Sequence, residues 1–335
     1  MTFYAACAII VYKYYALIPS FFIRDHQRRA ASGIQEEHTV ENTKERGQTV
    51  SVVIPVLNAE RELPELLRRL RLQDAPPDEI IVVDSESDDG TKEICLHAPD
   101  VCYIGIRRAD FDHGGTRDMA LRRSNGDVVV FLTQDALPAD RHLLSRLTAP
   151  LADEQTALAN GRHLPKKDAS RFEQLVRNFN YPAQSRIRTL DDLDTLGIKT
   201  FSNSDVCAAY RKDIYLKLGG FESPVRTNED MFFAAKAIRA GYRTVYVADA
   251  RVLHSHNFTF MQQFRRNYDA GYFLEQHKNL LCGASENGEG MRLVLYVTKS
   301  LLKEGRLIDL FRFFFDCAAR LSGNKLGKLK CRRDG

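Results

Sequence analysis

The sequence has no C-x-x-C pair, and its seven cysteines, at positions 7, 95, 102, 207, 282, 317 and 331, are scattered and odd in number. That argues against a disulfide framework and a zinc site and favours a reducing compartment. It has no internal repeat and no low-complexity tract, which sets aside solenoid and fibrous architectures. Nor does a small-residue cleavage site follow the apolar N-terminus, so a secretory signal is not expected. Charge of one sign is also scarce. The 48 Lys and Arg against 44 Asp and Glu leave a net +4, which by itself suggests no nucleic-acid partner.

With 335 residues, 44% of them hydrophobic and 27% charged, the chain has room for one large α/β domain with appendages. Residues 3–23 are apolar but interrupted by Lys13 and Pro19. The stretch is long enough to span a bilayer, yet a central lysine costs about 2.5–3.5 kcal/mol on insertion. An interfacial extension is therefore favoured over a transmembrane anchor. Residues 24–48 are polar and lack an apolar period, as a linker does. Arg24, Arg28 and Arg29 follow the apolar start, and Arg320, Lys325, Lys328, Lys330, Arg332 and Arg333 crowd the other end. Both ends suit an anionic membrane surface.

Order begins at Thr49. Buried strands are expected at 50–55, 80–84, 101–106 and 127–132, with helices at 60–72, 91–96 and 114–123 between them. That alternation implies a parallel sheet covered by helices on both faces, with ligands at the carboxyl ends of the strands. The polar residues Asn58, Asp84, His113 and Asp135 fall at those ends. Farther on, helices are expected at 171–180, at 213–218 with Gly219 and Gly220 as a stop, and at 229–240 closed by Gly241. Residues 202–210, 244–247 and 251–253 read as short strands, and 293–302 and 307–321 as basic amphipathic helices. The implied layout is an N-terminal extension and linker (1–48), a catalytic α/β domain (49–281) and C-terminal basic helices (282–335).

Four clusters carry chemistry. The loop Pro55-Val56-Leu57-Asn58-Ala59-Glu60 pairs with Asp84-Ser85-Glu86-Ser87-Asp88-Asp89-Gly90-Thr91. A carboxylate such as Asp84 can accept from a base or ribose, whereas Asp88 and Asp89 are better explained as helix caps. In Phe111-Asp112-His113-Gly114-Gly115-Thr116-Arg117 the two glycines permit close approach to an anionic ligand and Arg117 adds a cation; the alternative is a tight turn. In Leu132-Thr133-Gln134-Asp135 an acid follows an apolar strand, where a divalent metal or a local turn would satisfy it. Asn228-Glu229-Asp230 opens a helix and precedes His254-Ser255-His256. A carboxylate there can act as a base, or simply complement the helix dipole.

Together these segments resemble family-2 glycosyltransferases with the GT-A fold, over about residues 49–280. A narrower likeness, to the bacterial rhamnosyltransferases of that family, rests on the Phe111 to Arg117 run, Thr133-Gln134-Asp135, Gly161-Arg162-His163-Leu164-Pro165, Phe201-Ser202-Asn203, His254-Ser255-His256 and Leu321-Ser322-Gly323-Asn324. The resemblance implies an inverting transfer from a nucleotide diphosphate sugar, with dTDP-L-rhamnose as donor. It also implies a polyprenyl-linked glycan acceptor in O-antigen, capsule or exopolysaccharide synthesis, met at the inner face of the cell membrane. By position it makes Asp230 the catalytic base with Glu229 beside it. Pro55, Leu57, Asn58, Glu60, Asp84, His113, Gly114, Arg117, Gln134, Asp135, Arg265 and Arg266 become donor contacts. Asp135 and His254 become ligands of Mg2+ or Mn2+, and His256, two residues on, joins them because an extended segment puts it on the same side as His254. One departure stands out: the family's D-x-D motif has Thr133 in place of its first acid, which weakens the expected metal binding. A catalytically degenerate scaffold, or another hexosyltransferase of the family, is the competing reading. A sugar-nucleotide pyrophosphorylase is disfavoured, because no glycine-rich loop with a basic residue follows the first strand.

Overall fold

The computed structural model describes residues 48–281, 283 and 288–334. The apolar segment at 3–23, nearly all of the linker, Cys7 and Cys282 lie outside the described residues. Among those described, no helix is long and apolar enough to cross a membrane.

Nine strands form one sheet. They are β1 (Val50–Val56), β2 (Glu79–Asp84), β3 (Val101–Gly105), β4 (Val128–Leu132), β5 (Leu137–Pro138), β6 (Thr156–Leu164), β7 (Arg186–Arg188), β8 (Cys207–Arg211) and β9 (Arg243–Leu253). Their order is β3-β2-β1-β4-β8-β6-β9-β5, with β7 on β9. The strands β3, β2, β1 and β4 are parallel, as the apolar runs imply. Beyond β4 the parallel expectation fails. There β8 runs antiparallel between β4 and β6, while β6 and β9 are parallel.

The apolar runs arise because both faces of the sheet are covered. Val52, Ile54 and Val56 point to one face, against Leu63, Leu66 and Leu67 of α1 (Leu63–Arg71). Val53 points to the other, with Ala120 and Leu121 of α3 (His113–Arg123) and Phe233 of α8 (Glu229–Arg239). A shift of one residue would exchange the two sets, so the register is well specified. Between α1 and α3 lies the short α2 (Thr91–Leu96). The helices α4 (Leu143–Thr148), α5 (Arg171–Asn180), α6 (Leu193–Leu196) and α7 (Lys212–Lys217) precede α8.

Two expected strands near residue 250 are one. The pairing of β9 with β6 jumps from Gly161 opposite Val247 to Arg162 opposite Arg251, so residues 248–250 bulge out of an otherwise continuous strand. The strand β6 carries no run that stood out in the sequence, yet it lies between β8 and β9. The expected strand at 202–210 begins only at Cys207.

The chain closes with α9 (Phe260–Gln276), α10 (Glu289–Lys303) and α11 (Leu307–Asp334). Glycines set the crossing of α9 and α11. A Cβ on Gly327 would run into the Tyr268 carbonyl oxygen, one on Gly323 into that of Phe264, and one on Gly271 into that of Asn324. Replacing a helical glycine by alanine normally gains about 1 kcal/mol, but overpacking costs about 1–3 kcal/mol. Backbone obstacles cannot rotate away, so the cost prevails. Gly327→Ala is expected to lower the melting temperature, whereas Gly290→Ala, with open space around it, leaves it level or raises it. A thermal melt of both variants checks the packing; a Gly327→Ala protein as stable as wild type would show that the two helices separate freely.

Candidate active site

The strand order changes direction between β1 and β4, the place where open α/β sheets leave a crevice. Gln134 ties the two strand ends together. Its Oε1 accepts from the Leu57 N–H at 2.9 Å and its Nε2 donates to the Leu57 carbonyl at 3.2 Å. Pro55 sits within β1 opposite Val83, and the Leu57 side chain is exposed. Asn58 takes a left-handed backbone, φ 52°. Its side-chain oxygen accepts from the Asp88 N–H at 2.9 Å, and Glu60 Oε2 accepts from the Gly90 N–H at 3.1 Å. Asp84, buried at the end of β2, accepts from Ser87 Oγ at 2.5 Å and from Tyr103 Oη at 3.0 Å. The side chains of Asn58 and Glu60 therefore brace the loop after β1 against the loop after β2, and Gln134 braces it against the segment after β4.

The second centre lies after β4 and β9. His254 Nε2 and His256 Nε2 each stand 3.5 Å from an Asp135 oxygen and 3.0 Å from each other. The candidate ligand atoms of all three residues lie within 4.8 Å of one another. Thr133, in the place of the missing acid, donates its hydroxyl to Asp135 Oδ1 at 3.0 Å. Burial pushes His254 down to about 3 against the pull of Asp135, so its imidazole is neutral and able to coordinate. Its Nδ1 is buried and has no hydrogen-bond partner among the described residues. Burial alone would raise Asp135, but His254, Lys166 and His256 outweigh it and hold the carboxyl below its usual range. Lys166, which sequence reasoning passed over, reaches 3.1 Å from Asp135 Oδ2. The donor set fits a divalent ion. Two imidazoles with one carboxylate favour Mn2+ over Mg2+, and Lys166 would have to yield its carboxylate oxygen.

The third centre opens α8. Asn228 adopts φ 66° and directs the chain into the helix. Asp230 Oδ1 accepts from the Met231 N–H at 2.6 Å and Oδ2 from the Asp205 N–H at 3.2 Å. Burial, and then the charge of Glu229, push Asp230 up to about 7, against the lowering effect of those two N–H groups. Behind it lies a residue missed in the sequence. Asp205 is buried, 3.6 Å from Arg117 Nε, and accepts from Tyr210 Oη at 2.6 Å. Burial and then Asp230 raise Asp205 well above the carboxylate range. An acid just ahead of the apolar run at Cys207 was the available signal; its partners Arg117 and Tyr210 were not adjacent in sequence.

Two donor assignments need correction. Arg117 is buried and 3.2 Å from Glu229 Oε1, so it is committed to the acidic cluster and is no free cation for a diphosphate. A Cβ on Gly114 would strike the Glu222 carbonyl oxygen, so its lack of a side chain makes room for the 222–225 segment. Asp112 itself caps α3, accepting from Gly115 at 2.6 Å, and binds Val225 N–H at 2.6 Å.

A cleft of about 950 Å3 opens beside these centres. His113, Thr227 and Asn228 line the wall next to Asp230; Tyr181 and Phe258 line the wall next to the histidines. Tyr181 stacks on His163 at 4.0 Å, and His163 meets His254 edge-on at 5.4 Å. Arg266 lines the cleft, over the Phe258 ring at 4.7 Å. Its neighbour Arg265 is exposed and outside the lining, so the structure does not bring the two arginines to one site.

A crevice at the strand reversal, a carboxylate–imidazole centre and a carboxyl raised to about 7, the last two beside a large polar cleft, are what a nucleotide-sugar glycosyltransferase of the GT-A fold presents. Residues 51–219 match Glycosyl transferase family 2, and the chain belongs to that family. It is 37% identical over 281 residues to the O-antigen chain rhamnosyltransferase RfbN of Salmonella typhimurium (strain LT2), covering 83% of this chain and 89% of that protein. It is 36% identical, with the same coverage, to the O-antigen chain rhamnosyltransferase WbaN of Salmonella anatum. Among solved structures it superposes on the mannosyltransferase PcManGT of Pyrobaculum calidifontis, in complex with GDP-Man and Mn2+. The TM-score is 0.59 at 20% identity, over 84% of this chain and 87% of that one.

Proposed function

We propose that the enzyme transfers L-rhamnose from dTDP-L-rhamnose, with inversion, to a polyprenyl-linked glycan during O-antigen, capsule or exopolysaccharide assembly. The observation that carries the chemistry is the carboxyl of Asp230, raised to about 7 at the start of α8 beside a large polar cleft. The likeness to the Salmonella O-antigen rhamnosyltransferases supports the choice of sugar.

Asp230 takes the proton of the acceptor hydroxyl as that oxygen bonds to the anomeric carbon. The bond from that carbon to the diphosphate oxygen breaks, and its electron pair leaves with the nucleoside diphosphate. Glu229 and Asp205 anchor Arg117, which fixes the position of the base. Asp84 and the braced loops after β1 and β2 hold the nucleoside. Asp135, His254 and His256 are the residues that would hold a divalent cation, Mn2+ or Mg2+, whose chemistry when bound would be to supply positive charge for the leaving diphosphate. The Mn2+ in the mannosyltransferase complex supports this reading. The enzyme works at the inner membrane surface, supported by the basic end of α11 and the exposed Phe311, Phe314 and Phe315 on the same helix.

The test is a panel of nucleotide sugars against lipid-linked acceptors in vesicles. Product is expected with dTDP-L-rhamnose and little with UDP- or GDP-sugars. Protein should sediment with anionic vesicles at low salt and partly release at high salt. Preferential turnover of another donor would overturn the choice of sugar, and turnover of none would favour the scaffold reading.

A further inference from the structure

The cleft is larger and more basic than catalysis needs. Eight Arg and Lys side chains line it against three carboxylates. Several lie away from the Asp135 centre. Arg188 is held by Asn160 and the Ser202 carbonyl, and among the described residues no carboxylate is paired with it. Arg226 meets Asp269 only at 3.5 Å, and Arg266 rests on the Phe258 ring. Arg320 reaches in from α11, its Nε 2.6 Å from Asp316. Such a wall attracts an anion carrying more than one charge.

Next to it runs an apolar groove of about 600 Å3, lined by Phe172, Phe258, Phe260, Phe311 and Phe315. The two spaces share Phe258, and the Asp316–Arg320 pair joins them, since Asp316 lines the groove and Arg320 the cleft. Phe260, Phe311 and Phe315 are about half exposed. Among the described residues Arg177, Lys199, Arg226, Arg292 and Arg320 are ion-paired, while Arg186, Arg188 and Arg266 leave the cleft an excess of positive charge. That excess, continuing into a phenylalanine groove, matches a molecule with a diphosphate head and an isoprenoid tail.

We infer that the arginine-lined cleft binds the diphosphate of the lipid-linked acceptor and that the groove between α5, α9 and α11 takes the first isoprene units of its tail. This rests on the lipid-linked acceptor proposed above and adds where it is held. The acceptor sugar, attached on the far side of the diphosphate, then lies toward the Thr227–Asn228 wall and Asp230. The donor diphosphate stays at the Asp135 centre, so the two anions occupy different ends of the site.

The experiment uses the full chain and farnesyl diphosphate as a soluble probe, titrated by calorimetry with dTDP at saturation to fill the donor end. Farnesyl diphosphate is expected to bind with dTDP present, more tightly than inorganic pyrophosphate and far more tightly than farnesol. Arg266→Gln should weaken farnesyl diphosphate and pyrophosphate alike, by about tenfold or more. Phe311→Ser should weaken only farnesyl diphosphate, by about three- to tenfold. Both positions are exposed, and a thermal melt verifies that each variant is folded. Displacement of the probe by dTDP would assign the cleft to the donor, and equal binding of farnesol would remove the charge argument. Displacement by phosphatidylglycerol vesicles would make it a general headgroup surface, and unchanged Kd values in both variants would place the site elsewhere; each result overturns the inference. The acceptor reading fails separately, if a free sugar without diphosphate is glycosylated as fast as the lipid-linked one.

Discussion

Asp230→Asn is expected to lower kcat by about 10²–10⁴ while leaving donor Kd near the wild-type value. The substitution keeps the side chain's shape and an oxygen that can accept from the Met231 or Asp205 N–H. It removes the group proposed to receive the acceptor proton. Nothing places Asp230 against the braced nucleoside loops, so the ground-state complex with donor should persist. The pH profile gives a second readout. Burial and Glu229 raise the folded-state carboxyl to about 7, and a base acts only when ionised. The wild-type rate should therefore rise with pH through about 7 and level off above it. In the variant that inflection should vanish. Turnover near the wild-type rate, or an unchanged inflection, would assign the base to another residue, with Glu229 the next to examine.

Removal of divalent metal is the other large expected effect. Chelation should reduce transfer by about 10²–10³-fold, since charge stabilisation of this kind is worth several kcal/mol. Mn2+ should restore it better than Mg2+, because two of the three donors are imidazoles. Asp135→Ala and His254→Ala should weaken donor binding strongly with metal and little without it. Without metal, Lys166 already neutralises Asp135, which keeps the apo site from being an uncompensated buried acid. Full activity in EDTA would take the metal out of the mechanism and leave Arg177 as the candidate partner of the leaving group, since its Nη1 lies 3.2 Å from Nδ1 of His163, the ring beside His254.

The first half of the fold was legible because its strands are buried on both faces. The runs Val52-Val53-Ile54 and Ile80-Ile81-Val82-Val83 can be little else. The helix at 91–96 and the one at 171–180 fell on their expected bounds. The strand β6 was hidden because Asn160, Arg162 and His163 make it look polar. In the fold Asn160 receives Arg188, and Tyr181 covers the His163 ring. These partners come from elsewhere in the chain, and a local pattern cannot show them. The same reason hid Asp205 and Lys166. The glycines at 114 and 115 misled in the opposite direction. Their spacing suits an anion loop, but tertiary contact with residues 222–225 uses the space. The assignment of Asp135, His254 and His256 to one centre was available from the resemblance alone, since no periodicity brings residue 135 to residue 254.

Arg292 and Arg320 face the same cleft as His113 and Tyr181. A ribosome delivers residues in order, and domains begin folding as they emerge. A nascent chain therefore acquires its base and its histidine pair well before the opposite bank of the cleft exists. Products of interrupted synthesis that stop ahead of α11 lack Arg320, the glycine-set crossing with α9 and two of the five phenylalanines of the groove. On the proposed acceptor site, such fragments would engage nucleotide sugar without capturing lipid. On that reading, transfer to lipid requires synthesis through α11, the helix that supplies Arg320 and two phenylalanines of the groove.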